Sequence, residues 1–340
     1  MANGVTRHLA TAAAVLLLAV TAAAGTARAA DPIVMKIGTN VSNDVNHAYC
    51  NEVARLINER SAGRMKAEVF PGGQLGDIPQ LIQGTQLGTI QLFVQPPGFL
   101  KGVHPGFQVT DAAGLFDSID HAFATVTDPR FRTPFLDLGR EKNLTGVSVF
   151  IYGPTSYAST VPLRTLADFK GKKFRVLASK FETTLMQKLG ATGVPMPFLD
   201  ALPALQQRAI DGVRSSWVVM GSMKFHTVAK FVTPVDDAMI LLAAFVNKPW
   251  YEGLPPDLRQ MVTQVGLDAQ AHMLGVSKEF EANSEKNWKA NGTEVIRLSP
   301  SEKAEFMTRA RAASDEVIGA DPELNRLYKL LTEVAQSHRS

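Results

Sequence analysis

Two successive strand–helix patterns constrain the fold of this chain more than any other feature of its sequence. In the first, the predicted strands cover residues 33–39, 65–70 and 90–94. Between them, residues 46–61 show helical spacing, and Asp77 is placed to cap a second helix that runs to about Leu87. This β-α-β-α-β order predicts a mostly parallel sheet covered by helices.

The same pattern returns in the second half of the chain. Predicted strands cover residues 174–177, 194–196 and 210–214, and predicted helical segments cover residues 166–169, 181–189 and 199–208. The chain has 340 residues, whereas single hydrophobic cores stop growing at about 250–300 residues. Two α/β units therefore predict two lobes, with a cleft at the strand ends, where open α/β sheets bind ligands.

Two further elements are expected to join the lobes. Residues 238–246 form an apolar strand that we expect to return to the first lobe. From Pro256 to about Asn291, apolar residues recur every three or four positions, which predicts a helix of about 35 residues and about 52 Å. Because this length exceeds one lobe, we expect the helix to lie across both.

The N-terminal residues differ in character from the rest of the chain. A short basic head precedes an apolar run from Leu9 to Val20, and Ala27-Arg28-Ala29 provides a small-residue end. These are the parts of a secretory signal peptide, and we expect cleavage after Ala29. A membrane anchor is the alternative, but this run is shorter than the roughly 20 residues that span a bilayer. Cleavage would remove Arg7 and Arg28, which lowers the formal net charge of +3 and leaves no basic patch for nucleic acid.

The motifs of common enzymes and metal sites are missing from the sequence. It contains no CxxC, HExxH, GxSxG or GxxxxGK[ST] pattern. We therefore predict no metal, no cofactor and no catalytic residue. The single cysteine, Cys50, has the surroundings of a buried thiol on a helix face. The adjacent acids Asp236 and Asp237 are expected to point apart in a solvated turn.

Several segments form a recognisable series along the chain. Residues 70–76 read FPGGQLG, residues 87–90 read LGTI, and residues 166–176 read LADFKGKKFRV. The second half continues with PMPF at 195–198, ALQQ at 204–207 and IDG at 210–212. In this order and spacing they resemble the solute receptors of TRAP transporters, the DctP family. On these motifs the chain is identified as a member of that family.

The resemblance implies an α/β, two-lobed periplasmic binding protein, type II-like, with a long helix spanning both lobes. It implies a receptor in the periplasm that binds a small carboxylate and delivers it to a TRAP membrane permease, without catalysis. We expect a monomer with no nucleic-acid partner. The expected division is a signal peptide at 1–29, lobe I at 30–152 plus about 241–280, lobe II at 153–240 plus about 281–308, and C-terminal helices at about 309–340.

The resemblance also implies ligand-binding residues. Arg175 matches the arginine that grips the ligand, since a planar guanidinium binds a carboxylate through two parallel hydrogen bonds. Its alternative is an exposed strand residue or a structural ion-pair partner. Phe198 matches an aromatic that packs on the ligand, and Asn40 a polar position facing the cleft; core packing and an Asx turn are their alternatives. Strand-end geometry adds Gln95 and Phe99 as wall residues of the first lobe.

The sequence departs from the family's sialic-acid receptors at two positions. Thr155 stands in place of a second arginine and Ser215 in place of an asparagine, so we do not expect a sialic-acid ligand. Tyr152 and Trp217, close by in sequence, would suit a monocarboxylate with an apolar or aromatic body. Alternatively, Arg214 replaces the missing cation and favours a dicarboxylate or a hydroxy acid. The sequence leaves both open.

Two other functions stand beside the TRAP receptor. A receptor of similar architecture could serve an ATP-driven importer or a sensor kinase, and the fold alone does not separate these. A secreted enzyme acting on small organic acids would need a base near the bound carboxylate. Asp200 and His226 are the nearest candidates, and neither has a visible partner in the sequence.

Overall fold

The structure is a computed structural model that describes residues 31–339. The signal peptide predicted for residues 1–29 lies outside the described residues and stays a prediction. From Val34 onward the chain forms one compact unit. Within residues 31–339, no helix combines the length and the apolar character that crossing a bilayer requires.

Nine strands in the described part of the chain form one continuous sheet. They are β1 (Ile33–Gly38), β2 (Met65–Phe70), β3 (Leu92–Gln95), β4 (Leu144–Ser159), β5 (Lys173–Val176), β6 (Thr192–Pro195), β7 (Gly212–Ser216), β8 (Phe231–Asn247) and β9 (Glu294–Val295). Their order is β2-β1-β3-β8-β4-β7-β5-β6, with β9 beside β8. β8 runs antiparallel to β3 and β4, and β4 antiparallel to β7; β1 with β3, β5 with β6 and β5 with β7 are parallel pairs.

Eleven α-helices are described between and beside these strands. They are α1 (Val45–Arg60), α2 (Ile78–Leu87), α3 (Ile119–Thr127), α4 (Pro129–Asp137), α5 (Lys180–Lys188), α6 (Phe198–Gln206), α7 (Trp217–Ser222), α8 (Lys248–Glu252), α9 (Pro256–Ala290), α10 (Pro300–Gly319) and α11 (Pro322–Ser337). The predicted helical segments of both α/β units are confirmed to within two residues at each end, and Leu166–Phe169 among them is a short 3₁₀ helix.

Local sequence explains why α2 begins and ends where it does. The Asp77 carboxylate accepts a hydrogen bond from the backbone N–H of Ile78 (2.8 Å), and Pro79 occupies the first turn. Gly88 ends the helix with a left-handed φ of 81°, which glycine adopts at little cost. The same aspartate therefore stands at the junction between the β2–α2 loop and the helix.

The central strands differ from the prediction. The sequence pattern did not predict β4, because nearly all its side chains are buried and no apolar alternation marks it. Pro154 lies in β4 where its pairing with β8 shifts register, an irregularity that tolerates proline inside a sheet. β8 begins at Phe231 rather than at Ala238, and Asp236 within it has a φ of 54°. The sheet is therefore mixed, not mostly parallel.

Buried hydrophobic residues form two large clusters, each rich in aromatic rings. The first includes Phe93, Phe107, Phe135 and Phe245. The second includes Tyr157, Phe169, Phe174 and Phe306. β4 contributes Val149 and Ile151 to the first and Tyr157 to the second, and β8 contributes Leu241 to the first and Val235 to the second. Along β4 and β8, the side chains thus pass from one core to the other near residues 152 and 240, where the lobe boundaries were predicted. The boundaries themselves stay predictions.

The long helix α9 has the 35 residues that its apolar spacing predicts. In its first half, Asp268 pairs with Arg60 of α1 (2.5 Å). Near its end, the indole N–H of Trp288 donates to the backbone carbonyl of Trp217 in α7 (2.9 Å). The helix therefore makes contacts with helices of both α/β units and spans the two lobes.

Two glycines in α9 test how closely the helix packs on β4. A Cβ at Gly266 would lie 2.9 Å from the carbonyl oxygen of Val147, whereas one at Gly275 would meet nothing within 4 Å. We expect Gly275→Ala to raise the free energy of unfolding by about 0.5–1 kcal/mol through helix propensity. Gly266→Ala should lower it, because the helix must shift away from β4. Urea unfolding of both variants measures this; equal stabilisation by the two would contradict the close packing.

Candidate functional site

A buried cavity lies at the ends of the strands from both α/β units. Asn40 follows β1, Gln95 ends β3, Leu177 follows β5 and Ser215 lies in β7. The cavity encloses about 40 Å³, room for about three water molecules. Six of the residues predicted from the sequence line it, together with Phe99: Arg175, Phe198, Ser215, Asn40, Tyr152 and Gln95.

Arg175 is fully buried and is not the exposed strand residue of the alternative interpretation. Its Nε donates to the carbonyl of Met196 (3.2 Å), and its Nη1 to the carbonyl of Arg214 (3.5 Å). Among the described residues its Nη2 has no hydrogen-bond partner. Burial lowers the pKa of Arg175 to about 10, against the attraction of Glu182 and Asp77, so the guanidinium stays charged at neutral pH. A buried cation with a free N–H is costly, and an anion in the cavity would relieve that cost.

Two aromatic rings flank the Arg175 guanidinium. The centroid of the Phe198 ring lies 5.0 Å from Cζ, and that of Phe99 lies 5.8 Å from it. Both distances are in the range of cation–π attraction. Phe198 opens α6, and Phe99 belongs to the short 3₁₀ segment Pro97–Gly102 after β3, so rings from both units face the same cation.

The polar wall of the cavity is built around Asp77. Asn40 donates through Nδ2 to Asp77 Oδ1 (2.7 Å), and Gln95 donates through Nε2 to Asn40 Oδ1 (2.9 Å). The second oxygen of Asp77 accepts the backbone N–H of Leu199 in α6 (3.2 Å). One carboxylate therefore connects the end of β1, the start of α2 and the start of α6 around the cavity.

A second polar cluster lies at the start of α1. Tyr152 donates its hydroxyl to Asp44, which also caps α1 by accepting the N–H of His47 (2.9 Å). Burial raises the pKa of Asp44 to about 6, although these two hydrogen bonds oppose the shift. Asn46 donates through Nδ2 to the carbonyl of Val94 (3.3 Å), and its Oδ1 is buried without a partner among the described residues. Asn46, a residue that lines the cavity, thus has one buried acceptor atom without a partner among the described residues.

Arg214 does not supply a second cation to the cavity. Its Nη1 and Nη2 donate to the two oxygens of Asp237 (3.0 and 3.1 Å), and its Nε lies 3.3 Å from Glu182. Burial acts to lower the pKa of Arg214, but the two carboxylates outweigh it and raise that pKa. The adjacent Asp236 points elsewhere and pairs with Lys303 (2.7 Å). The acids point apart as predicted, but Asp237 is buried rather than in a solvated turn.

Two predicted site residues lie outside this cavity. Thr155 donates its hydroxyl to Asp237 (2.6 Å), so it supports the Arg214 network. Trp217 is the first residue of α7, and its indole N–H donates to Glu281 of α9 (2.7 Å). Its ring borders a different cavity of about 210 Å³ between α7 and α9. The helix that starts at Trp217 directs this side chain away from Arg175.

Three polar residues at or beside the cavity were not predicted from the sequence as parts of the site. Asp77 was predicted only as a helix cap, and Asp44 and Asn46 were not singled out. A signal existed for Asp77 and Asp44, because each is an N-cap residue shortly after a strand, the place where α/β sheets gather ligand groups. Cys50 is fully buried, as predicted, and burial raises the pKa of its thiol. In residues 31–339 no group of three or more His, Cys, Asp or Glu side chains is placed to hold a metal ion.

Asp111, behind the Arg214 network, should make stability depend on pH. Burial and the nearby Glu182 raise its pKa to about 8, against Ser179 and Arg214. A carboxyl whose pKa is raised in the folded state lowers the free energy of unfolding. This loss grows as the pH rises from the pKa of the unfolded chain, near 4, to about 8. We expect Asp111→Asn to stabilise the protein at pH 8 and to change little at pH 4.

Thermal unfolding of parent and variant across this range measures the effect. Asp137→Asn is the control, because Asp137 is 64% exposed at the surface. A stability difference between Asp111→Asn and parent that does not vary with pH would contradict the raised pKa.

Sequence relatives share most of the chain's length. It is 28% identical to the 2,3-diketo-L-gulonate-binding periplasmic protein YiaO of Escherichia coli over 257 residues. The matched region covers 74% of this chain and 77% of the relative. It is also 28% identical over 301 residues to the C4-dicarboxylate-binding periplasmic protein DctP of Rhodobacter capsulatus, covering 86% of this chain and 89% of the relative.

Solved structures share the fold. A TRAP periplasmic solute binding protein from Desulfovibrio salexigens with bound orotic acid matches with a TM-score of 0.84 at 24% identity, covering 90% of this chain and 99% of that one. The sugar acid binding protein DctPAm from Advenella mimigardefordensis in complex with galactonate matches with a TM-score of 0.85 at 22% identity, covering 91% and 99%. The family described as bacterial extracellular solute-binding protein, family 7 (DctP), matches residues 38–320. The chain therefore belongs to family 7 of the bacterial extracellular solute-binding proteins.

Proposed function

We propose that this protein is the periplasmic receptor of a TRAP transporter, which binds a small organic acid by its carboxylate and delivers it to the membrane permease. The names of its relatives support this, since they bind C4-dicarboxylates and 2,3-diketo-L-gulonate. Similar folds hold succinate, L-malate and galactonate. The observation that carries the proposal is the buried guanidinium of Arg175, a residue that lines the cavity and whose Nη2 has no partner in the described chain.

Arg175 is arranged to receive a carboxylate with little reorganisation. Its Nε is held by Met196, while Nη1 makes only a long bond of 3.5 Å and Nη2 makes none. A carboxylate placed against Nη1 and Nη2 would form two charge-assisted hydrogen bonds in a site shielded from water. Phe198 and Phe99 flank the guanidinium and restrict its movement, so little conformational entropy remains to be lost on binding.

The other cavity residues would orient the body of the ligand. Gln95 and Asn40 present amides on one wall, Tyr152 and Ser215 present hydroxyls, and Phe198 offers an apolar face. The amide of Asn40 is already committed to Asp77 and Gln95, so its role is to fix the wall rather than to donate freely. Trp217 and Thr155 would act only indirectly, through α9 and Asp237.

Ligand entry requires the cavity walls to separate. A space of about 40 Å³ is smaller than an organic acid of several carbons, and the Asp77–Leu199 hydrogen bond joins the residues next to Ile78 and Phe198 of the cavity wall. The hinge in this proposal lies in β4 and β8, near Pro154 and Asp236, where the strand pairing is irregular. The lobes would then meet at the boundaries after residues 152 and 240, and the receptor would act as a monomer.

The structure offers little to an enzyme acting on the same acids. Asp200 is exposed on α6, and the ring of His226 packs against Trp288 with centroids 6.2 Å apart. Neither residue borders the cavity. An ATP-driven importer would use the same site, so transport by the chain with its permease separates that alternative: uptake driven by an ion gradient supports the TRAP assignment.

The anchor role of Arg175 is tested by Arg175→Gln. We expect the variant to lose at least about a hundredfold in affinity for its carboxylate, roughly 3 kcal/mol, because the ligand's charge would be buried unpaired. Without ligand, its melting temperature should be unchanged or higher, since an incompletely paired buried cation is removed. Thermal-shift screening of organic acids finds the ligand, and calorimetry measures the affinities.

Lys173→Gln provides the matched control for this test. Lys173 lies in the same strand, carries the same charge and is exposed outside the cavity. Its variant should bind the ligand as the parent does. If Arg175→Gln binds the ligand as tightly as the parent, Arg175 is not the anchor of the carboxylate. If the folded parent protein binds no carboxylate, the proposed function is wrong.

A further inference from the structure

We infer that the cavity selects a compact monocarboxylate with an uncharged body and rejects dicarboxylates of the same length. The inference rests on the proposed function and narrows its ligand class. It sets this chain apart from relatives named for binding C4-dicarboxylates. Four features of the described residues carry it: the number of cations, the apolar wall, the polar wall and the size of the cavity.

Only one cation is available to a ligand. Arg175 is the only charged residue among those that line the cavity in the described chain. Arg214, on the neighbouring strand, donates from Nη1 and Nη2 to Asp237, and its Nε lies beside Glu182. A second carboxylate on the ligand would therefore be buried without a counter-charge, which proteins avoid strongly.

Much of the rest of the cavity wall is hydrocarbon. The apolar side chains that line the cavity include Ile78, Leu177, Val219, Ile240 and Leu242. These side chains offer neither hydrogen-bond donors nor charge, so they favour a methyl or methylene end of a ligand over an ionised one. The apolar wall thus matches the body of an acid that carries its charge at one end.

The polar wall is also unsuited to a second carboxylate. Asn46 lines the cavity, and its side-chain oxygen Oδ1 is a buried acceptor without a partner in the described chain; an acceptor near the ligand would repel a carboxylate oxygen. Behind the wall stand the acids Asp44 and Asp77, which hold Tyr152 and Asn40. An uncharged hydroxyl could donate there, whereas a second anion would face like charge.

The closing contact limits the size of the ligand. The Asp77 carboxylate bonds to the N–H of Leu199 at the start of α6, beside Phe198 of the cavity wall. A long or branched acid would hold α6 away from Asp77 and lose this contact. A compact acid lets it re-form over the ligand.

The test is a titration of the purified protein with acids matched in chain length, such as butanoate against succinate and 2-hydroxybutanoate against malate. In each pair a methyl end is replaced by a carboxylate. We expect the monocarboxylate to bind at least about tenfold more tightly in each pair that binds. Equal or tighter binding of the dicarboxylate overturns the inference but leaves the proposed function standing.

A second arm supplies the missing cation. Gln95→Lys places an ammonium on the cavity wall beside Asn40, and Gln95→Met gives a similar length without charge. We expect Gln95→Lys to gain about tenfold or more in affinity for succinate, and Gln95→Met to gain nothing. If folded Gln95→Lys still rejects succinate, the charge argument is wrong.

The remaining outcomes are also decisive. Binding confined to bulky acids such as galactonate overturns the compactness of the ligand. If folded parent protein binds no carboxylate at all, the proposed function fails and the inference with it. Loss of the monocarboxylate in Arg175→Gln, with its retention in Lys173→Gln, ties the selected acid to this cavity.

Discussion

The pairing of β4 with β8 is the interaction on which the rest of the structure depends. The two strands form one antiparallel ladder from Leu144–Asn247 at one end to Ser159–Phe231 at the other. β3 joins the ladder through β8, and β7 joins it through β4, so the strands of both α/β units become one sheet. Gln95 at the end of β3 and Ser215 in β7 reach the same cavity only because this ladder lies between them. The site is therefore a consequence of two strands that show no amphipathic pattern.

Two buried arginines on neighbouring strands have opposite surroundings, and the contrast defines the site. Arg214 has carboxylates on both sides, from Asp237 and Glu182, and belongs to the framework. Arg175 shares the attraction of Glu182 but meets only backbone carbonyls and aromatic rings. A buried ion pair adds little net stability, whereas removing one partner from it is strongly destabilising, so Arg214 is fixed in its role. Arg175, whose Nη2 has no partner in the described chain, is therefore the cation that the proposed function assigns to the ligand.

Local rules explain which parts of the fold were predictable. The cap at Asp77, the stop at Gly88 and the 35 residues of α9 follow from spacing and capping chemistry within a few residues of each position. Arg175 was named as a ligand-binding residue from the resemblance of its segment to a family motif; the structure shows that it is buried beside the cavity, and its role stays a prediction. β4 did not follow, because a fully buried strand carries no periodic signal. The pairing of Arg214 with Asp237 was not predicted either. The two residues are 23 positions apart on different strands, and only the assembled sheet brings them together.

Asp77 has a local role as a helix cap and also makes long-range contacts that shape the site. As an N-cap it needs only the N–H of Ile78, but its oxygens also take the amide of Asn40 and the N–H of Leu199, which is 122 residues further along the chain. Its negative charge also raises the pKa of Arg175, against the effect of burial. In the proposed function, an incoming carboxylate would be attracted by Arg175 and repelled by the like charge of Asp77. The same carboxylate that connects Asn40 and Leu199 would thereby disfavour a second negative charge on the proposed ligand.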